Sequence, residues 1–249
     1  MLKKAQILIV FFAIISHRAV EGKDPLTTSI IIPCAPGHVK YLYNLLQLYE
    51  QQTSLPNEIV ISLSEAYQID QNILNALKNA PWPFTLKLLL SNEKLFAGQN
   101  RNIACSNATG DLLICQDADD IPYPQRIEVI KYFFDNFELD FLLHKFVYGN
   151  GTEVQEMSII EDISSIEKTY IKTYHEAWIV GYMFFGQPAL HRRVFNQIQW
   201  PNVPVGEDDA FDNAVLTTFD KCLMIHVPLS LYRTGLSVTP YELYRETFK

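Results

Sequence analysis

The chain has 249 residues, 48% hydrophobic and 19% charged, enough for one well-packed globular domain and too little for two large ones. Its formal net charge of −8 argues against a general nucleic-acid binder, whose electrostatic footprint is a basic surface. An anionic substrate would therefore need local cationic help, which a bound divalent metal can supply.

At the N-terminus Lys3-Lys4 precedes an apolar run from Ala5 to Ile15, and Val20-Glu21-Gly22 offers a place for a signal peptidase to cut. The run is about half of the ~20 apolar residues a transmembrane helix needs. Residues 1–22 are read as an export signal, with a short uncleaved anchor or a buried strand as alternatives. The expected location is outside the cytoplasm or in a secretory lumen, with membrane contact only through this segment. One domain is expected over 23–249.

From Thr28 onward, apolar β-branched runs alternate with segments of helical period, which is the pattern of a parallel sheet. Thr28 to Pro33 reads as a strand, and Val39, Leu42, Leu45, Leu46 and Tyr49 then recur at helical spacing. Glu58 to Leu63 is a second strand, with a helix marked by Ile69, Ile73, Leu74 and Leu77. Thr85 to Leu90, a helix over Gly98 to Asn107, and Leu112 to Gln116 complete four βα units. Right-handed crossovers commonly place such strands in the order three, two, one, four, so the first and fourth lie side by side where the winding reverses. The loop Pro33-Cys34-Ala35-Pro36-Gly37-His38 and the carboxylates that follow the fourth strand would wall the crevice there.

The second half is less regular. Gln125 to Phe137 reads as a helix, Phe141 to Tyr148 as a strand, and Ala177 to Phe185 as aromatic and β-prone. Ile159, Ile160, Ile163 and Ile166 fit a short amphipathic helix. A helical pattern follows Gly206-Glu207-Asp208-Asp209, and Cys222 to Val227 reads as a last strand. The four cysteines are widely separated, without the spacing of a zinc site or a disulfide scaffold; Cys105 and Cys115 read as buried thiols.

The most informative stretch is Asp117-Ala118-Asp119-Asp120, three carboxylates at the end of a buried strand, where open α/β sheets place their ligands. Oxygen ligands converging there favour a hard cation such as Mg²⁺ or Mn²⁺. The ordinary alternative is a helix cap with solvated neighbours. Glu207-Asp208-Asp209 has the same ordinary explanation, at the positive end of a helix dipole. Facing the first cluster across the crevice, the second would separate a metal carboxylate from a base carboxylate. His38, His144, His175 and His191 show no metal-like spacing with one another. Trp178, Tyr182, Phe184 and Phe185 are candidates to stack on a ligand, with core packing as the alternative.

The order of these motifs resembles the inverting glycosyltransferases of family two, which have the GT-A fold. The matching pieces are Ser29-Ile30-Ile31-Ile32-Pro33, Asn57-Glu58-Ile59-Val60-Ile61, and Ala97-Gly98-Gln99-Asn100-Arg101-Asn102. They continue through Ala108 to Ile114 into Gln116 to Asp120, then Pro124 to Glu128, Gly206-Glu207-Asp208 and Pro228 to Arg233. The resemblance implies an α/β, Rossmann-like, mostly parallel sheet flanked by helices, with a nucleotide-sugar half near 28–125 and a smaller acceptor-side half near 126–249. It further implies inverting sugar transfer from a nucleotide-sugar donor to the hydroxyl of a glycan, lipid or protein acceptor, assisted by Mn²⁺ or Mg²⁺. On the same basis Asp119, with Asp117, would hold the metal, and Asp120 would support the loop. The donor would lie against Pro33, Cys34, Ala35, Ser64, Arg101, Asp117 and Ala118. Asp208 would be the general base, with Glu207 orienting the acceptor or the base. Two places depart from the family pattern. Leu63-Ser64 stands where relatives commonly carry an Asp pair that reads the nucleotide base, and Thr234-Gly235-Leu236-Ser237 follows Tyr232-Arg233 where a metal-contacting His is often found. These departures leave a non-catalytic nucleotide-sugar or glycan-binding protein as the alternative reading.

Overall fold

The computed structural model describes residues 24–149, 159–179 and 187–233. The expected signal or anchor therefore lies outside the described residues, as do Tyr182, Phe184 and Phe185. Among the described residues no helix is long and apolar enough to cross a membrane.

The first half is built as its periodicity dictates. Strands β1 (Thr28–Cys34), β2 (Glu58–Leu63), β3 (Thr85–Leu90) and β4 (Leu112–Cys115) are parallel, in the order β3-β2-β1-β4. Helices α1 (Val39–Glu50), α2 (Gln71–Asn79) and α3 (Ala97–Asn107) cross between them. Alternate strand residues feed opposite cores, because side chains in a strand alternate in direction. Ile30 and Ile32 enter the core shared with Leu42, Leu46 and Leu74, whereas Ile31 joins Ala104, Cys105 and Phe211. The four cysteines are free and buried.

The sheet then continues with mixed pairing: β5 (Ile121–Pro122), β6 (Phe141–Gly149), β7 (Lys168–Tyr170), β8 (Ala189–His191) and β9 (Cys222–Arg233). The full path is β3-β2-β1-β4-β8-β6-β9-β5, with β7 on β9. β8 runs antiparallel to β4, while β6 runs parallel to β9 with a shift in register around Lys145. Helices α4 (Arg126–Phe137), α5 (Tyr174–Ile179), α6 (Arg192–Phe195) and α7 (Glu207–Thr218) complete the described elements.

Two readings of the second half are corrected. The β-prone stretch at Ala177 begins inside helix α5. A capping box starts that helix: Thr173 Oγ1 accepts from Glu176 N at 3.1 Å, while the Glu176 carboxylate accepts from Thr173 N at 3.2 Å and from Lys172 N at 2.7 Å. The isoleucine run at 159–166 forms only a 3₁₀ turn at Ile163–Ser165, which the Asp162 carboxylate caps by accepting from Ser164 N at 2.9 Å.

Candidate active site

The carboxylate loop leaves the sheet at the end of β4, where Cys115 pairs with Ile31 of β1. Gln116 N donates to Ile31 O at 2.9 Å, and Tyr49 donates its phenol to Gln116 Oε1 at 3.1 Å. A turn closed by Asp120 N on Asp117 O, at 3.3 Å, then presents Asp117 and Asp119 at the edge. Asp120 points inward: its carboxylate accepts from Gln187 Nε2 at 2.5 Å and from Arg233 N at 2.9 Å. The Arg233 guanidinium lies 4.3 Å from the Tyr41 ring centroid, and its Nε donates to the Asp119 carbonyl.

Arg101 explains how residues far apart in sequence share this edge. It projects from α3, almost wholly buried, and its guanidinium meets Asp117 at 2.9 Å, Asp208 at 2.7 Å and Glu207 at 3.3 Å. Burial alone would lower its pKa, but the carboxylates, Asp208 foremost, outweigh that and raise it, so the cation is permanent. The start of α7 is brought to α3 by a reciprocal clamp: Asn102 Nδ2 donates to Trp200 O at 2.8 Å and Trp200 N donates to Asn102 Oδ1 at 3.0 Å. Trp200 stacks on Phe211 of α7 with ring centroids 3.7 Å apart. Gly98 permits the close approach, since a Cβ there would meet Pro201 O and Trp200 Cβ at 3.0 Å. Gly206, at φ 79°, turns the chain into α7 through the left-handed region that glycine adopts freely.

The first loop forms the opposite wall. Pro33 and Cys34 are buried, Ala35 is exposed, and Ser64 N donates to Cys34 O at 3.2 Å, so the ends of β1 and β2 are tied together. Beyond Ser64, Glu65 adopts a left-handed backbone at φ 47°, and its carboxylate accepts from Gln68 Nε2 at 2.8 Å. The structure thus gathers Asp117, Asp119, Arg101, Glu207 and Asp208 at one edge, with Pro33 to Ala35, Ser64 and Ala118 in its wall and floor. Sequence spacing gave no sign of His38, whose Nδ1 lies 3.7 Å from Asp119 Oδ1, or of Gln187 and Arg233 on Asp120. Only the placement of His38 in the first loop hinted at it.

Burial first, then the negative charge of Asp117, pushes the Asp119 carboxyl above its ordinary range; the same causes raise Asp120 further. Among the described residues no group of three or more His, Cys, Asp or Glu is arranged to hold a metal ion. The crowding of like charges at Asp117 and Asp119 nonetheless fits a hard cation of the kind held by one or two carboxylates and completed by substrate phosphates.

Residues 29–199 match the family model of glycosyl transferase family 2. The chain belongs to that family. No curated protein matches it by sequence. Solved structures with the same GT-A fold as this family 2 chain include S. aureus TarS in complex with UDP-GlcNAc, at 20% identity and TM-score 0.64, covering 88% of this chain and 64% of that one. The mannosyltransferase PcManGT from Pyrobaculum calidifontis, in complex with GDP-Man and Mn²⁺, matches at 15% identity and TM-score 0.61, covering 89% of this chain and 60% of that one. Glucosyl-3-phosphoglycerate synthase from Mycobacterium tuberculosis, with Mg²⁺ and UDP, matches at 14% identity and TM-score 0.54, covering 88% and 74%. This family 2 chain therefore spans less than two thirds of the TarS chains it matches.

Proposed function

We propose that the protein transfers a sugar, with inversion, from a nucleotide-sugar donor to an acceptor hydroxyl, with Mn²⁺ or Mg²⁺ held by Asp119 and Asp117. The observation that supports this best is Arg101, which joins the carboxylate after β4 to the acidic start of α7 at the edge where α/β sheets bind ligands. The cation would supply Lewis-acid stabilisation of the charge that grows on the departing diphosphate. Asp208 accepts the proton of the acceptor hydroxyl as it attacks, and its ion pair with Arg101 fixes the carboxylate for that task. Glu207, on the same arginine, orients the base or the acceptor. The first loop and Ser64 form the donor wall in the half near 28–125; the acceptor side lies in the half near 126–249. Residues 1–22 serve as an export signal or short anchor, which N-terminal sequencing of the mature protein tests.

The direct test is transfer and donor hydrolysis across a panel of uridine and guanosine nucleotide-sugars, with Mn²⁺, with Mg²⁺ and with chelator. Metal-dependent transfer is expected. Donor binding without turnover across acceptors would instead support the non-catalytic reading, which the missing Asp pair at Leu63-Ser64 favours.

A further inference from the structure

We propose that Tyr148 and Tyr232 form a stacking platform for a pyranose ring, so that the acceptor hydroxyl belongs to a carbohydrate. This rests on the sugar-transfer reading above and names its acceptor class. β8 runs antiparallel to both β4 and β6, and β6 runs parallel to β9, so β6 and β9 end at the same sheet edge as the carboxylates that follow β4. Tyr148 and Tyr232 are register partners there, with ring centroids 5.7 Å apart and planes at 63°. Tyr148 is 48% exposed, and Tyr232 beside it is half-buried.

Placement assigns the pair to the acceptor. Ile121 of β5 pairs antiparallel with Leu231, so Asp120 and Tyr232 are neighbours across the strands, and Arg233 N donates to the Asp120 carboxylate at 2.9 Å. Burial, then the charges of Asp120, Asp117 and Asp119, push the Tyr232 phenol up to about 12, which suits a ring beside the carboxylate loop. Side chains alternate along a strand, and the Arg233 guanidinium turns to Tyr41 on α1, so Tyr232 turns to the opposite face of the sheet. That face carries α3 and α7, and with them Arg101 and Asp208. The donor wall lies on the other side of the loop, at the ends of β1 and β2, so the tyrosines flank the base and not the nucleotide. An aromatic face with a polar tip suits a sugar, whose C–H groups gather on one ring face while its hydroxyls point outward. An acyl chain would call for a wider apolar patch.

The test is saturation-transfer NMR on the full chain with Mg²⁺, UDP or GDP, and methyl glycosides of hexoses and N-acetylhexosamines as acceptor probes. Wild-type protein should saturate the C–H protons of one pyranose face. Tyr148→Ala should weaken glycoside binding roughly 2–10-fold, the scale of an aromatic contact, and Tyr148→Phe should retain it, with nucleotide signals and melting temperature unchanged. Tyr170→Ala is the control, because that ring is 54% exposed but pairs with Leu223 at the far end of β9, and it should leave the glycoside signal as it is. Nucleotide bound without any glycoside, or glycoside bound equally well by Tyr148→Ala, overturns the platform and leaves sugar transfer standing. An equal loss in Tyr170→Ala, or transfer to a hydroxyl-bearing peptide at one rate in wild type and Tyr148→Ala, overturns it too. Absence of both nucleotide and glycoside signals in the wild type overturns the sugar-transfer reading with it.

Discussion

Two arginines, Arg101 on α3 and Arg126 at the start of α4, are both almost wholly buried and both hold the loop after β4, yet their surroundings differ in kind. Arg101 meets three carboxylates at the open edge of the sheet. Arg126 lies beneath the loop and donates to neutral acceptors: Cys115 O at 2.8 Å, Gln187 O at 3.2 Å and the Ser230 hydroxyl. Gln187 passes the restraint on to Asp120. One cation among several anions balances charge where ligands arrive, and leaves carboxylates positioned for proton or metal chemistry. One cation wrapped by carbonyls satisfies backbone groups that would otherwise be orphaned, and builds a floor. A buried arginine thus marks either a site or a scaffold, and its partners tell which.

The largest effect expected at the Arg101 edge is on turnover. Asp208→Asn retains size and hydrogen bonding but cannot act as a carboxylate base, so transfer should fall by roughly 10²–10⁴-fold with donor binding and melting nearly unchanged. Transfer near the wild-type rate would show that Asp208 is not the base. Arg101→Met leaves Asp117, Glu207 and Asp208 facing one another without their cation, and should cost about 3–5 kcal/mol in denaturant melts along with donor binding. Full stability with lost donor binding would make Arg101 a ligand contact alone.

Arg126→Met should cost about 1–3 kcal/mol by leaving buried acceptors unpaired, while the folded fraction keeps its donor affinity. A folded Arg126→Met protein that binds no donor would erase the distinction between site and scaffold. The effect farthest from the site lies at the opposite edge, where Glu58 accepts from Ser29 Oγ at 2.6 Å and pairs with Lys87 at 2.6 Å. Burial raises the Glu58 carboxyl, but Lys87, Ser29 and Thr109 together outweigh it and hold it at about 2, against an ordinary 4.5. A carboxyl lowered on folding adds stability above its unfolded pKa, and that stability disappears as pH falls from about 4.5 toward 2. Glu58→Gln should therefore melt lower at neutral pH and show a flatter acid limb, with transfer per folded molecule unchanged. Parallel acid limbs for the two proteins would remove Glu58 from that account.

The sequence by itself determined the parallel half, because a buried parallel strand reads as a continuous apolar run and a crossover helix repeats its apolar residues every three to four positions. Glu58–Leu63 and Thr85–Leu90 carry the same bounds in sequence and structure, and handedness alone placed β1 beside β4. It also singled out the acidic pairs at Asp117-Asp119 and Glu207-Asp208. Tertiary structure alone decided what those residues face. β5, β7 and β8 are strands of two or three residues with too few positions to show a period, and exist because β4 and β9 supply their hydrogen bonds. The meeting of Arg101 with Asp208 spans 107 positions, and that of His38 with Asp119 depends on the parallel register of β1 and β4. Periodicity is a local property of the chain, whereas charge partners are chosen by the packing that brings distant elements to one edge.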